Sequence, residues 1–373
     1  MLRSGRIVTI RLKPVKTTDR LSYQRKFVRV APHAFQFAMS NCHAEWWPKF
    51  EVGWTIADIM RIGILSRNPG LYSTRRLAEV ARMRGHRVEI IDTTSVAVHI
   101  GRGDGDATIP QQLVASLPGM TETTKLPTLD AIIPRIGTSV TFYGLAVVRQ
   151  FETAGVLTTA ASSAIACSRD KLQSLQLMSQ AGLPIPRTAI VAQPEALFSA
   201  IEAIGGLPAV VKLISGTQGR GVFLAHHFTT VAAILRKVTE LNRQASVQEF
   251  IAEADGRDMR LIVVGGRCVA AMQRQAPFGE FRANLHRGGS ASAVTPEPAT
   301  VALAVAAART HGLAVAGVDL VSSRRGPLLL EVNSSPGLEG IEKATGIDIA
   351  SEIVRYVETA PSRPQPPRKS RSK

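Results

Sequence analysis

The stretch PLLLEVNSSPGLEGIEK (327–343) runs three leucines into Glu331, Val332 and Asn333. A short apolar run bounded by turn residues reads as a buried strand. Side chains two apart on a strand share a face, so Glu331 and Asn333 point the same way. Upstream, VAGVDLVSSRRGPLLLEVN (315–333) reads as a hairpin turning at Arg325-Gly326. A turn centred on Arg325 sets Asp319 opposite Glu331. Opposed carboxylates repel across a ladder, so a cation belongs between them. Two carboxylates and an amide are hard oxygen donors that suit Mg²⁺, which completes its shell with phosphate and water. An exposed polar hairpin would show the same spacing. Asn333-Ser334-Ser335 also fits a glycosylation sequon, but no secretory core precedes it in the chain.

A phosphate site is expected further upstream. VVKLISGTQGRGV (210–222) puts Lys212 on a strand and glycines at 216, 219 and 221 in the next turn. Glycines let backbone N–H groups approach phosphate oxygens, and lysine adds a point charge. The GK[ST] of a P-loop is missing, so the common NTPase reading is weak. An ordinary glycine-rich hairpin turn fits this stretch alone equally well. QEF (248–250) ends a strand, and Asp258 follows. EFRANLHRGG (280–289) gathers Arg282, His286 and Arg287 beside Asn284. Cationic forks suit a phosphoryl group developing charge, although a solvated basic loop has the same composition.

MRIGILSR (60–67), TRRLAEVARMRG (74–85) and HRVEIID (86–92) form a βαβ unit and predict a parallel sheet. LDAIIPRIG (129–137) adds a strand ending at Arg135. Residues 98–128 read as loop, with room for a local hairpin, and GRGDG (101–105) as a turn. A helix is expected over 168–182, with Ser168 as N-cap and Gly182 as stop. Strands follow at 208–214, 222–227, 245–251 and 258–275, with a helix at 230–243. The order is a parallel α/β unit, a small α+β unit, then a hairpin-rich α+β unit.

The 373 residues allow two or three domains. No apolar run is long enough for a transmembrane helix. The net charge of +16 is concentrated at the ends. Residues 1–59 carry +6 and 359–373 carry +5, which argues for basic tails rather than a nucleic-acid-binding domain. Pro-rich PSRPQPPRKSRSK is expected to be disordered. Residues 1–59 read as an extension, with Met60 as an alternative start; an Arg-rich transit peptide is the competing reading. The 3 cysteines form no CxxC pair, which fits a reducing, cytoplasmic setting.

Taken in order, Lys171, Lys212 with its glycine-rich loop, Glu249-Phe250, Asp258, Arg282-Ala283-Asn284, Asp319, Glu331 and Asn333 resemble an ATP-grasp ligase. RIGTSVTFYG (135–144), GTQGRGV (216–222), FRANLHRGG (281–289) and EVNSSPGLEGIEKATGID (331–348) resemble the RimK family, which adds L-glutamate to the C-terminus of a small-subunit ribosomal protein. The resemblance spans about residues 60–358. It departs at Phe250, where tyrosine is usual. It implies an α/β and α+β chain: a parallel pre-ATP-grasp domain (60–160), a lid subdomain with linker (161–245), an ATP-grasp core (246–358) and a basic tail (359–373).

The resemblance also implies roles. Lys171 and Lys212 would contact phosphate, and Glu249 and Phe250 would offer backbone groups to adenine. Asp258 would bind ribose, while Arg282, Ala283 and Asn284 would line the nucleotide site. Asp319, Glu331 and Asn333 would hold two Mg²⁺ or Mn²⁺ ions. The acceptor carboxylate would attack the γ-phosphate of ATP. Glutamate's amine would then attack the acylphosphate, with Arg274 and Arg282 steadying that intermediate. A homo-oligomer and weak nucleic-acid contact through the basic ends are also expected. Two competing readings are ligation of an amino acid to a small molecule or carrier protein, and a ribosome- or RNA-binding protein without catalysis. The intact carboxylate–amide trio and the scarcity of aromatics (5%) weigh against the latter.

Overall fold

A computed structural model describes residues 59–98, 113–116, 123–214, 221–241, 243–283, 285 and 288–361. The extension before residue 59 and the tail after 361, on which the expected disorder and nucleic-acid contact fall, lie outside the described residues. The N-terminal domain comprises β1 (Arg61–Leu65), α1 (Tyr72–Met83), β2 (Arg87–Ile91), β3 (Val96–Val98), β4 (Leu113–Ser116), β5 (Thr123–Lys125), β6 (Ala131–Pro134), α2 (Thr141–Thr153) and β7 (Leu157–Thr158). Its main sheet runs β2-β1-β6-β7, parallel throughout, as the βαβ spacing predicts. Ile62, Ile64 and Leu65 of β1 are fully buried because a parallel strand is covered on both faces. Gly63 leaves room for Leu129, whose Cδ1 would lie 2.5 Å from an added Cβ. Where a loop is expected, β3, β4 and β5 form a second, antiparallel sheet. Strands of three or four residues are too short to show alternation.

The expected helix at 168–182 is two helices, α3 (Ser162–Arg169) and α4 (Lys171–Gln180). Asp170, not Ser168, is the N-cap: its carboxylate accepts from Leu172 N and Gln173 N, both at 3.0 Å. Ser168 sits inside α3 and donates back to the Ile165 carbonyl at 3.0 Å.

The lid follows with β8 (Thr188–Ile190), α5 (Leu197–Ile204), β9 (Ala209–Leu213), β10 (Val222–Ala225), α6 (Phe228–Glu240) and β11 (Ala245–Glu249). Its antiparallel sheet runs β10-β9-β11-β8, so the lid sheet reaches Glu249 rather than ending at 245. Its core, built around Leu197, Ile204, Val211, Val231, Leu235 and Val247, contains lid residues alone.

The last unit holds β12 (Arg257–Val264), β13 (Arg267–Gln275), β14 (Ser290–Ala293), α7 (Pro298–Thr310), β15 (Val315–Ser323), β16 (Gly326–Asn333), α8 (Glu339–Thr345) and α9 (Ile349–Thr359). Its antiparallel sheet runs β14-β13-β12-β15-β16. One face shares a cluster with the N-terminal domain through Leu65, Ile132, Val147, Leu261, Val318 and Leu329. The other does so through Ile62, Leu77, Ile133, Ile262, Ile341 and Ile353. Each such side chain contributes about 1.5–3 kcal/mol on burial, against roughly 0–1 for a surface ion pair. Apolar packing therefore welds these two units, whereas the lid has its own core. No helix among the described residues is long and apolar enough to cross a membrane.

Polar contacts rim the weld. Tyr72 donates to Glu342 at 2.8 Å, and Arg84 grips Glu358 through Nε at 2.7 Å and Nη2 at 2.5 Å. His86 Nδ1 accepts from Met60 N at 3.3 Å, so its Nε2 carries the proton toward Glu358, 2.7 Å away. Burial pushes the Glu358 carboxyl up, but the hydrogen bonds from His86 and Arg84 prevail and hold it at about 2. A depressed carboxyl stabilises the fold fully above its ordinary value of 4.5 and loses that contribution as pH falls toward 2. Glu358→Gln should therefore cost about 1–3 kcal/mol at neutral pH. The deficit in thermal unfolding should shrink below the ordinary carboxyl range; a deficit constant down to acid pH would contradict the ionised clamp.

Candidate active site

β15 and β16 place Asp319 directly across from Glu331, and Gly317 across from Asn333. The opposition is the expected one, reached by another route. The turn is Arg324-Arg325, closed by Ser323 against Gly326, so Leu320 pairs with Leu329. A bulge between Asp319 and Leu320 leaves Leu330 unmatched and restores the register at Asp319. Asn333 Nδ2 faces the Gly317 carbonyl at 3.5 Å, which leaves its Oδ1 for a ligand. Gly317 is required here, since an added Cβ would lie 2.7 Å from Pro336 Cβ.

Behind Asp319 lies a ladder of alternating charge. Arg260 on β12 donates Nε and Nη2 to Asp319, both at 2.6 Å. Arg274 on β13 donates to Asp258 at 2.6 and 2.8 Å and lies 3.1 Å from Asp319 Oδ2. Burial pushes Asp319 up, yet Arg260 and Arg274 outweigh it and hold the carboxyl below its usual range. Burial wins at Asp258, whose carboxyl is raised despite Arg274. At Arg274 the two carboxylates overcome burial and raise the guanidinium. Arg274 is 3% exposed and bridges two aspartates. It props Asp319 from below. Arg260 was not singled out from sequence, although alternation of Asp258 and Arg260 ahead of the apolar LIVV of β12 is the signal that could have found it.

Glu331 differs from Asp319. It is half-buried and makes no hydrogen bond or ion pair among the described residues. Its charge is felt by Arg169 and Lys212, where it opposes the effect of burial. No group of three or more His, Cys, Asp or Glu side chains forms a metal cage among the described residues. Two opposed carboxylates and one amide oxygen fit Mg²⁺, which relies on phosphate and water for the rest of its shell. A cation there would take Glu331 and Asn333 and compete with Arg260 for an Asp319 oxygen.

Lys212 ends β9 and donates to Gln248 Oε1 at 2.6 Å, and Gln248 in turn donates to Thr188 at 2.7 Å. Burial, then repulsion from Lys171, draws the Lys212 ammonium down to about 8 against the pull of Glu331. The fold thus brings Lys171, Lys212 and Glu331 into one field. Arg135 joins from the N-terminal domain, where burial and the neighbouring Arg169 lower its guanidinium to about 10. The glycine-rich segment 215–220 lies outside the described residues. Its exit is held: Leu213 N donates to the Gly221 carbonyl at 2.8 Å, and Gly221 has φ +74°.

Arg282 reaches from the core to the lid, donating Nη1 to the Val222 carbonyl at 3.0 Å while Glu280 holds its Nε at 2.9 Å. The Arg282 hydrogen bond lowers the Glu280 carboxyl to about 2 against burial. Ala283 is buried, and Asn284 lies outside the described residues. Phe250 packs edge-on to Phe281, centroids 6.2 Å apart. The Glu249 N–H is taken by the Arg187 carbonyl at 2.9 Å. Its buried carboxylate accepts from Arg187 N at 2.7 Å and Nε at 2.9 Å, and from Arg325 at the tip of the β15–β16 hairpin. Glu249 therefore ties the lid sheet to the hairpin that carries Asp319 and Glu331.

Comparison with known proteins agrees with this arrangement. A RimK pre-ATP-grasp domain matches residues 60–165, and a RimK-like ATP-grasp domain matches 168–357. A probable alpha-L-glutamate ligase of Marinomonas sp. is 50% identical over 300 residues, covering 80% of this chain and 95% of that protein. Its counterpart in Teredinibacter turnerae is 51% identical over the same shares. Among solved structures, a RimK-domain ATP-grasp protein from Sphaerobacter thermophilus superposes with TM-score 0.59 at 22% identity, covering 79% of this chain and 98% of that one. The ATP-grasp ligase PsnB, solved with a phosphomimetic minimal precursor, Mg and ADP, does so with TM-score 0.60 at 20% identity, covering 80% and 98%. At such identities the structures speak for the fold, and the sequence relatives for the family. With an ATP-grasp core, a matching pre-ATP-grasp domain and relatives at half identity over nearly their whole length, the chain belongs to the RimK family of ATP-grasp, ATP-dependent α-L-glutamate ligases.

Proposed function

We propose that this ligase joins L-glutamate to the C-terminal carboxylate of a small-subunit ribosomal protein, with ATP and two divalent cations. One observation carries the chemistry: Glu331 stands opposite Asp319, without a partner among the described residues, in the field of Lys212 and Arg169. In this reading Asp319, Glu331 and Asn333 hold the cations, which neutralise the triphosphate. Lys212 and Lys171 bind phosphate oxygens, while Phe250 and the backbone at the end of β11, at Glu249, face adenine. Asp258 keeps a lone pair on each oxygen for ribose beyond its bonds to Arg274. Arg282, Ala283 and Asn284 line the nucleotide between core and lid.

An acceptor carboxylate oxygen bonds to the γ-phosphorus and ADP leaves. The amine of glutamate then bonds to the acyl carbon, phosphate leaves, and the amine's proton is lost. Arg282 joins core to lid, so closure and phosphate binding are mechanically linked, and a closed lid keeps water from the acylphosphate. The acceptor is tested by incubating the protein with ATP, Mg²⁺, glutamate and the ribosomal protein, then measuring intact mass. Increments of one glutamyl residue support the reading. Increments on a small molecule alone would move the acceptor to that class.

Two variants test the site. Glu331→Gln should lower ligation by about 100-fold or more while circular dichroism and unfolding temperature stay near wild type. Full turnover would contradict the cation role. Lys212 must be an ammonium to bind phosphate, and its value of about 8 puts the change at mildly alkaline pH. kcat/KM for ATP, which reports the free enzyme, should therefore fall as pH rises through that value. Lys212→Met should abolish the activity at every pH. A kcat/KM flat to pH 10 would exclude Lys212 as the titrating group.

A further inference from the structure

The N-terminal sheet reverses its winding between β1 and β6: β2 lies on one side of β1, and β6 and β7 on the other. In open α/β sheets a crevice opens at that reversal, outside the carboxyl ends of the strands, and ligands bind there. Here it is a cavity of about 200 Å³ lined by Ser66, Arg67, Asn68, Arg135, Gly137 and Ser139, with Leu71 at its edge. Among the described residues two guanidiniums line it and no carboxylate does. Arg67 Nη1 donates to Ser139 Oγ at 3.2 Å, and Arg135 Nη2 to the Pro336 carbonyl at 2.8 Å. A guanidinium has five N–H donors, so each retains the fork that grips a carboxylate. The volume is below the roughly 300–1,000 Å³ of sites for drug-sized ligands. It suits a small anion rather than ATP.

The crevice adjoins the carboxylate pair. Pro336 is in the loop leaving Asn333, and Ser335 Oγ of that loop donates to the Pro134 carbonyl at 3.4 Å. Between Asn333 and Ser335, Ser334 keeps a buried hydroxyl with no hydrogen-bond partner among the described residues. Arg169 feels both Arg135 and Glu331, so one electrostatic field spans crevice and hairpin. The apolar weld between N-terminal domain and core fixes this adjacency, while the lid packs around a core of its own.

We propose that this switch-point crevice is the site of the incoming L-glutamate, whose carboxylates are taken by Arg67 and Arg135. The inference rests on the ligase reading above and assigns its amino-acid substrate a place. Glutamate is the substrate that brings two carboxylates on a body of this size. A macromolecular acceptor must instead thread its terminus to the γ-phosphate.

The test is calorimetric titration of L-glutamate into the full chain with Mg²⁺ and a non-hydrolysable ATP analogue. Arg67 is on an exposed loop, so Arg67→Ala should fold as wild type. It should weaken glutamate binding by about tenfold or more, with analogue affinity unchanged. Arg67→Glu should weaken it further by repulsion. In turnover with an acceptor peptide, Arg67→Ala should raise KM for glutamate and leave KM for the peptide and ATP in place. Unchanged glutamate affinity in both variants, or a rise confined to the peptide's KM, overturns the assignment. Glutamate transfer by the wild type leaves the ligase reading standing in either case. Failure of the wild type to transfer glutamate to any acceptor sinks that reading instead.

Discussion

The site depends on two carboxylates held face to face across a hairpin. Asp319 and Glu331 oppose one another only because a bulge offsets the two-residue turn by one position. Without it, the whole of β16 beyond Leu329 would slip by one residue. Glu331 and Asn333 would then face the side where Val332 now packs, since a one-residue slip turns every side chain to the other face. The two carboxylates are also unequal. Asp319 is neutralised from below by Arg260 and Arg274, whereas Glu331 has no such partner among the described residues. One is fixed by its arginines and the other is held by no hydrogen bond or ion pair among the described residues, so the pair is electrostatically unequal.

This asymmetry matches the mechanics of the chain. N-terminal domain and core share two apolar clusters, and Arg135 and Arg169 come with that unit. The lid packs on itself and brings Lys212. Two contacts govern the approach: Arg282 to the Val222 carbonyl, and Glu249 between Arg187 and Arg325. Glu249 joins the lid to the tip of the same hairpin whose base holds Asp319 and Glu331. Lid position and hairpin position are therefore coupled through covalent strand geometry.

Period-two alternation and turn residues made the hairpin opposition legible, although two deviations from the expected geometry, at the turn and at the bulge, cancelled. A bulge has no reliable mark in apolar sequence, because an unmatched Leu330 looks like any other leucine. Lys212 and the glycine-rich turn were legible for the same reason as Glu331: a charge at the end of an apolar strand. Arg260 was not, since its meaning depends on β12 lying between β13 and β15, a sheet order no local pattern encodes. The break at Asp170 was missed because Ser168 and Asp170 are both good caps, and the choice follows from how α3 packs. Glu249 was read for its backbone, but its carboxylate makes the tie that tertiary structure alone can reveal.

Charge placement explains why a chain of +16 need not be a nucleic-acid-binding protein. ATP and glutamate are both anions, and their mutual repulsion opposes the assembly of the reacting complex. Arg169 and Lys212 feel one carboxylate, Glu331, with Arg135 beside Arg169 and Lys171 beside Lys212, and burial draws Arg135 and Lys212 down to about 10 and about 8. An arriving anion favours the charged form and so raises a cation that desolvation has drawn down. The cost of burying these groups is thus offset on substrate binding, and each anion that enters makes the remaining cations easier to keep charged for the next.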